Sequence, residues 1–140
     1  MSQLAHPFRA ALQARDVDAA AALLADDVVF RSPVSFKPYH GRDAVRDILA
    51  AVFRVFDDWR CVREIGTPDG RDHALVFQAR IGERQVEGCD FLHLDETGSI
   101  NEFYVMVRPL SGALALADAM ATHGAPAHEG AASVTTNRAT

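Results

Sequence analysis

Apolar positions at Leu4, Phe8, Ala11 and Leu12 recur at helical spacing, so the chain opens on an amphipathic helix. Arg15-Asp16 interrupts it. Asp18 has the chemistry of an N-cap for a short Ala-rich helix running to Leu24. Asp26-Asp27 closes that helix, and Val28-Val29-Phe30 reads as a short strand. Pro33 and Pro38 keep the next stretch extended and irregular. Beyond Gly41, the residues Val45, Ile48, Leu49, Val52, Phe53 and Phe56 form one apolar stripe, the clearest helix in the chain. After Asp57-Asp58 the hydrophobic period drops to that of strands. Strands are expected over Trp59 to Ile65, Ala74 to Ile81, Arg84 to Leu94 and Ile100 to Arg108. Gly82-Glu83 fits a tight hairpin turn with Gly at its first central position. Asp95 to Gly98 fits a longer loop in which Gly98 supplies a positive φ. Pro109 stops the last strand, and Leu110 to Met120 is expected to be a terminal helix. From Thr122 the residues are small and polar. The expected organisation is one domain over 1–121 and a disordered tail over 122–140.

Helices followed by a run of antiparallel strands make an α+β domain. The two turns then set the pairing. Ile81 opposes Arg84, which places Leu75 beside Asp90, and Leu94 opposing Ser99 places Asp90 beside Phe103. With side chains alternating between faces, Leu75, Phe77, Val86, Asp90, Phe103 and Val105 share one apolar face that the helices must cover. Asp90 is the exception on that face. A carboxyl group among apolar neighbours has a raised pKa unless it is paired, the profile of a catalytic or ligand-binding acid. The opposite face carries Phe91, Tyr104 and Met106, large apolar groups for a solvent surface. They are expected to pack against a second copy, forming a homodimer.

Composition narrows the function classes. The chain has 140 residues, 49% hydrophobic and 24% charged, with a net charge of −5, the profile of an ordinary globular domain. There is no basic run longer than a pair, so no nucleic-acid partner is expected. No apolar run approaches the ~20 residues of a membrane span, and Met1 to Ala14 has no signal-peptide pattern. Cys61 and Cys89 stand outside any metal-ligand or CxxC spacing, which suits a reducing compartment and a cytoplasmic location. The His residues show no ligand spacing, HExxH is absent, and His73 and His93 fall on opposite faces. No metal and no cofactor are expected.

Four stretches carry a family resemblance: Phe8 to Leu24, LLADDVVFRSP at 23–33, HGRDAVRDIL at 40–49 and GCDFLHLDETGSINEFYVMVRPL at 88–110. They resemble the nuclear transport factor 2-like superfamily, in particular its SnoaL-like, polyketide-cyclase-like branch. The resemblance implies a cone-shaped barrel, a curved and mostly antiparallel sheet wrapped around the N-terminal helices. It also implies an internal apolar pocket and a homodimer through the sheet. The superfamily hosts isomerases, cyclases, hydrolases and non-catalytic members, so function lies in the site. Ketosteroid isomerase places an Asp base at the position of Ser32, a Tyr donor at the position of Phe8, and a neutral Asp donor at the position of Asp90. Only the last is matched, so a standard ketosteroid isomerase is not expected. Limonene epoxide hydrolase places an acid at about Val105, where this chain has none, so that enzyme is not expected either.

Asp90, His40 and Tyr39 are the candidate catalytic groups. The acid would donate to a ligand oxygen, with His40 or Tyr39 moving a proton. Phe8, Ser32, Trp59, Phe77, Phe103 and Val105 are the candidate ligand contacts. The ligand class implied is a small hydrophobic molecule bearing a carbonyl. Each residue also has a plainer role: Asp90 satisfied by protein groups, His40 solvated in its loop, Ser32 bonded to the turn before Pro33, and Trp59 in the core. Three functions stay open on the residues alone: a cofactor-independent isomerase- or cyclase-like enzyme, a binding module, and a structural dimer.

Overall fold

The computed structural model describes residues 6–122. The tail expected from Thr122 therefore lies outside the described residues, apart from Thr122 itself. Four helices and six strands follow in the order α1 (Pro7–Ala14), α2 (Val17–Ala22), β1 (Leu24–Arg31), β2 (Tyr39–His40), α3 (Arg42–Val55), β3 (Asp57–Gly66), β4 (Asp72–Ile81), β5 (Arg84–Leu94), β6 (Ile100–Arg108) and α4 (Leu110–Thr122). The strands form one curved, open sheet in the order β2-β1-β6-β5-β4-β3. All neighbours are antiparallel except β1 and β6. The α+β cone expected from the sequence is the fold observed.

The helices form for local reasons. His6 caps α1 by accepting the Phe8 N–H at its Nδ1 (3.1 Å), and Pro7 occupies the first helical position. Asp16, not Asp18, caps α2, accepting the Ala19 N–H at 3.0 Å. Asp18 is free to pair instead with Arg46 on α3. The boundary expected at Asp26-Asp27 also moves. The strand already begins at Leu24, because the Leu23 carbonyl accepts the Ile100 N–H (2.9 Å) and Leu24 pairs with Ile100. Asp26 and Asp27 are exposed within the strand, and Asp26 pairs with Arg42 at 2.8 Å. The α3 stripe faces the sheet as its periodicity requires, with Val45, Ile48 and Leu49 fully buried.

The hairpin registers decide which side chains meet. Ile81 pairs with Arg84 and Leu75 with Asp90, as expected, and Gly82 takes φ 61 in the turn between them. The β5–β6 pairing differs by two residues: Asp90 lies opposite Val105, and Phe103 opposite Leu92. Two effects cause the offset. The loop closes on Asp95 and Ser99 rather than Leu94 and Ser99, because the Asp95 carboxylate accepts the Thr97 and Ser99 N–H groups (2.9 and 3.0 Å). A bulge between His93 and Leu94 adds the second residue. An even offset leaves Asp90, Phe103, Val105 and Val107 on their expected face, whereas Ile100, beyond the bulge, turns into the core opposite Leu94.

The buried core has two parts. One gathers Phe8, Leu24, Phe30, Leu75, Leu92 and Phe103 under α1 and α3. The other gathers Phe56, Phe77, Val86 and Leu116 under α4.

Candidate functional site

Asp90 sits at the seam of these two clusters. Its row across the sheet is Leu75, Asp90, Val105. The row on one side holds Phe77, Gly88 and Val107, and the row on the other His73, Leu92 and Phe103. Asp90 is 4% exposed, and none of the described residues hydrogen-bonds or ion-pairs with its carboxyl. Burial pushes this carboxyl up to about 8. At neutral pH it is therefore a neutral acid, able to donate its O–H to an acceptor. Cys61 and Cys89 feel it as well. Burial, with a smaller push from Asp90, raises both thiols, Cys89 to about 11.

The aromatic candidates divide between the two clusters. Phe8 meets Phe103 edge-on at 5.3 Å, and Phe30 joins them at 5.0 Å from Phe103. Trp59 stacks on Phe77 at 5.5 Å, with Phe56 at 5.7 Å. Phe8, Phe77 and Phe103 are sealed, whereas the inward-facing Trp59, Cys61, Val105 and Val107 stay only half-buried. Tyr39 also faces inward, paired with Phe30 and with its ring 6.1 Å away, and burial raises its phenol.

Two expected site residues stand apart. His40 pairs with Val29, on the outward face of β1, and is exposed. Alternation along β2 turns it away as it turns Tyr39 in, so it does not share a site with Asp90. The Ser32 hydroxyl accepts the Val34 N–H at 3.0 Å and serves its turn.

Sequence reasoning missed a polar hub at the other end of the inner face. The Glu64 carboxylate accepts the His6 N–H (2.8 Å) and pairs with Arg9 (3.4 Å), and His73 Nδ1 lies 3.8 Å away. The His6 and His73 rings are 4.9 Å apart, and burial lowers the pKa of His6. This hub pins the first turn of α1 to β3. No local pattern announces it, since Glu64 is 58 residues from His6. Among the described residues, no group of three or more His, Cys, Asp or Glu could hold a metal ion.

The outer face of the sheet carries an open groove of about 280 Å³, walled by Asp72, Phe91, His93, Glu102, Tyr104 and Met106. Phe91 is 40% exposed and Met106 56%. His93 Nδ1 lies 2.6 Å from Asp72, and Arg31 lies over the Tyr104 ring while pairing with Glu102 at 3.3 Å.

Comparisons with known proteins place this geometry. The chain is similar to a steroid delta-isomerase from Pseudomonas aeruginosa, with 42% identity over 81% of this chain and 82% of that one, at a TM-score of 0.77. It is similar to an uncharacterised conserved bacterial protein of cystatin-like fold from Silicibacter pomeroyi, with 38% identity over 83% and 81% of the two chains and a TM-score of 0.79. The epoxide hydrolase/cyclase-like enzyme SalBIII, of pyran ring formation in salinomycin, shares the fold alone (17% identity over 75% and 87%, TM-score 0.61). A comparison with curated proteins finds no match. Residues 5–103 match the SnoaL-like domain, and with the cone fold and its inward acid this chain belongs to the SnoaL-like family of the nuclear transport factor 2-like superfamily.

Proposed function

We propose that the chain binds a small, mostly apolar, carbonyl-bearing molecule between sheet and helices, with neutral Asp90 donating a hydrogen bond to the carbonyl oxygen. One observation carries the reading: a buried acid without a protein partner, on an inner face where its neighbour Val105, and Cys61 and Trp59 further along, are not sealed. A core with nothing to hold would satisfy that acid and close over those side chains. The test is titration with a fluorescent naphthyl ketone, 6-propionyl-2-dimethylaminonaphthalene. Wild type is expected to shift its emission to the blue. Asp90→Leu should weaken binding roughly 3- to 10-fold, the worth of one hydrogen bond. Wild-type affinity should fall above pH 8, where the acid loses its proton. Equal, pH-independent affinity in both proteins would refute the assignment.

A second reading adds catalysis, and the 42% identity to a steroid delta-isomerase favours it. Asp90 would then hold a developing oxyanion, with Tyr39 moving the proton, since Ser32 and His40 are otherwise placed. Conversion of a β,γ-unsaturated ketone to its conjugated isomer, followed by absorbance, separates the two readings. A wild-type rate no greater than that of Asp90→Leu returns the protein to binding alone.

We also propose a homodimer through the outer sheet face. Strands β4, β5 and β6 offer a projected footprint on the order of 30 by 15 Å, a little over half of the ~800 Å² each partner gives a standard interface before side-chain relief is counted. Apolar Phe91, Tyr104 and Met106 lie at its centre. Charged pairs such as Arg108–Glu87 (2.6 Å) and Arg80–Asp58 (2.8 Å) lie towards its rim. Phe91→Glu or Met106→Glu is expected to sediment as a folded monomer, and a wild-type monomer at all concentrations would end this reading. A reducing, cytoplasmic setting is supported by Cys61 and Cys89, both free thiols. No helix among the described residues is long and apolar enough to cross a membrane.

A further inference from the structure

Phe36 is 97% exposed, the most exposed large apolar side chain among the described residues. It is not on a loose loop. Pro33 and Pro38 restrict the backbone on either side, Val34 packs against the cluster of Phe56, Phe77 and Leu116, and Ser35 is 6% exposed. The segment is thus pinned at its neighbours and pushes one aromatic ring into solvent. Next to it stands Lys37, the only lysine of the chain. No ion pair reaches Lys37 among the described residues.

The outer groove has the complementary chemistry. Its floor is aromatic and aliphatic, from Phe91, Tyr104 and Met106, and two carboxylates stand on its wall. Asp72 has His93 as partner and Glu102 has Arg31, one contact each. Each carboxylate keeps acceptor capacity for a further cation. The wall thus sets the two carboxylates of Asp72 and Glu102 beside the Arg31 guanidinium and the His93 ring. The loop also begins beside the groove, because Arg31, the last residue of β1, pairs with Tyr104. Phe36 itself is 97% exposed and does not line the groove of its own chain.

We propose that Phe36 and Lys37 of each copy seat in the outer groove of the other, the ring on Phe91, Tyr104 and Met106 and the ammonium between Asp72 and Glu102. The proposal rests on the sheet-face dimer above and supplies its anchor. A buried aromatic ring is the kind of residue that dominates an interface.

A single lysine makes the test specific. A zero-length carbodiimide cross-linker is applied to a mixture of unlabelled and ¹⁵N-labelled full-length protein. The expected product is a hybrid-mass peptide joining Lys37 to Asp72 or Glu102. By sedimentation, Phe36→Ala should weaken dimerisation at least about tenfold, as loss of a hot-spot residue does. Lys37→Glu should weaken it too, and adding Glu102→Lys should restore it. A wild-type dimer that Phe36→Ala leaves unchanged, with no Lys37 hybrid peptide, overturns the anchor and leaves the sheet-face dimer standing. A wild type that is monomeric at every concentration overturns both.

Discussion

Asp90→Asn should be more stable than the wild type at neutral pH and lose that advantage in acid. The folded carboxyl has its pKa raised from 3.8 to about 8 by burial. Between those values the folded chain holds a proton that the unfolded chain has released. Stability therefore falls by about 1.4 kcal/mol for each pH unit. The contribution of the protonated acid is fully present below pH 4 and gone above about pH 8. At pH 7 the accumulated cost is on the order of 4 kcal/mol. Asn carries no such cost, although its amide remains a buried polar group. Urea denaturation of both proteins from pH 4 to pH 9 measures the difference and cancels the contributions of the exposed carboxylates. The two curves should converge near pH 4 and separate with rising pH. Parallel curves would mean that Asp90 ionises freely in the fold, and the donor role would fall with the slope.

Gly88→Ala is expected to destabilise the fold by about 3 kcal/mol or more, with the melting temperature down by roughly 10 °C. A Cβ at this position would lie 2.6 Å from the Met106 carbonyl oxygen and 2.7 Å from Phe77 Cε2. The carbonyl belongs to the β5–β6 ladder and cannot withdraw without breaking it. The ring is only 1% exposed and is held by Trp59 and Phe56. Thermal unfolding followed by circular dichroism checks this. A melting temperature within 2 °C of wild type would show that the ring moves freely, which the stacked packing does not allow. Gly112→Ala gives a contrast. Its new Cβ would meet the Val86 Cγ1 at 2.6 Å, but a side-chain methyl can rotate, so a smaller loss is expected.

The strands that hold the site were legible for simple reasons. β5 and β6 have the expected bounds because Gly82 turns the hairpin and Pro109 ends the last strand. Asp90 falls on the inner face in both the expected and the observed register, since only the parity of the offset matters for faces. Its opposite number was not legible. A carboxylate that draws in two backbone N–H groups and a bulge of one residue leave no periodic trace. Long-range partners were equally silent. Nothing near Glu64 announces that its bonds come from His6 and Arg9, and nothing near Leu24 announces Ile100. For His40, a Pro/Gly neighbourhood concealed a two-residue strand, and that strand's alternation decides which of Tyr39 and His40 looks inward.

The parallel seam between β1 and β6 has a consequence for how the chain is made. Strands β3 to β6 pair with their sequence neighbours and can zip up in order. β1 reaches only the two-residue β2 in that way; its other neighbour is β6, where Arg31 and Glu102 meet across 71 residues of chain. At ordinary translation speeds of about 5–20 residues per second, that separation is on the order of 4–14 seconds of synthesis. For that interval Leu24, Val28 and Phe30 leave the ribosome with no sheet to join. The fold therefore closes late, through a contact of high sequence separation. A nascent chain stalled before residue 100 displays an apolar strand of the kind that chaperones bind.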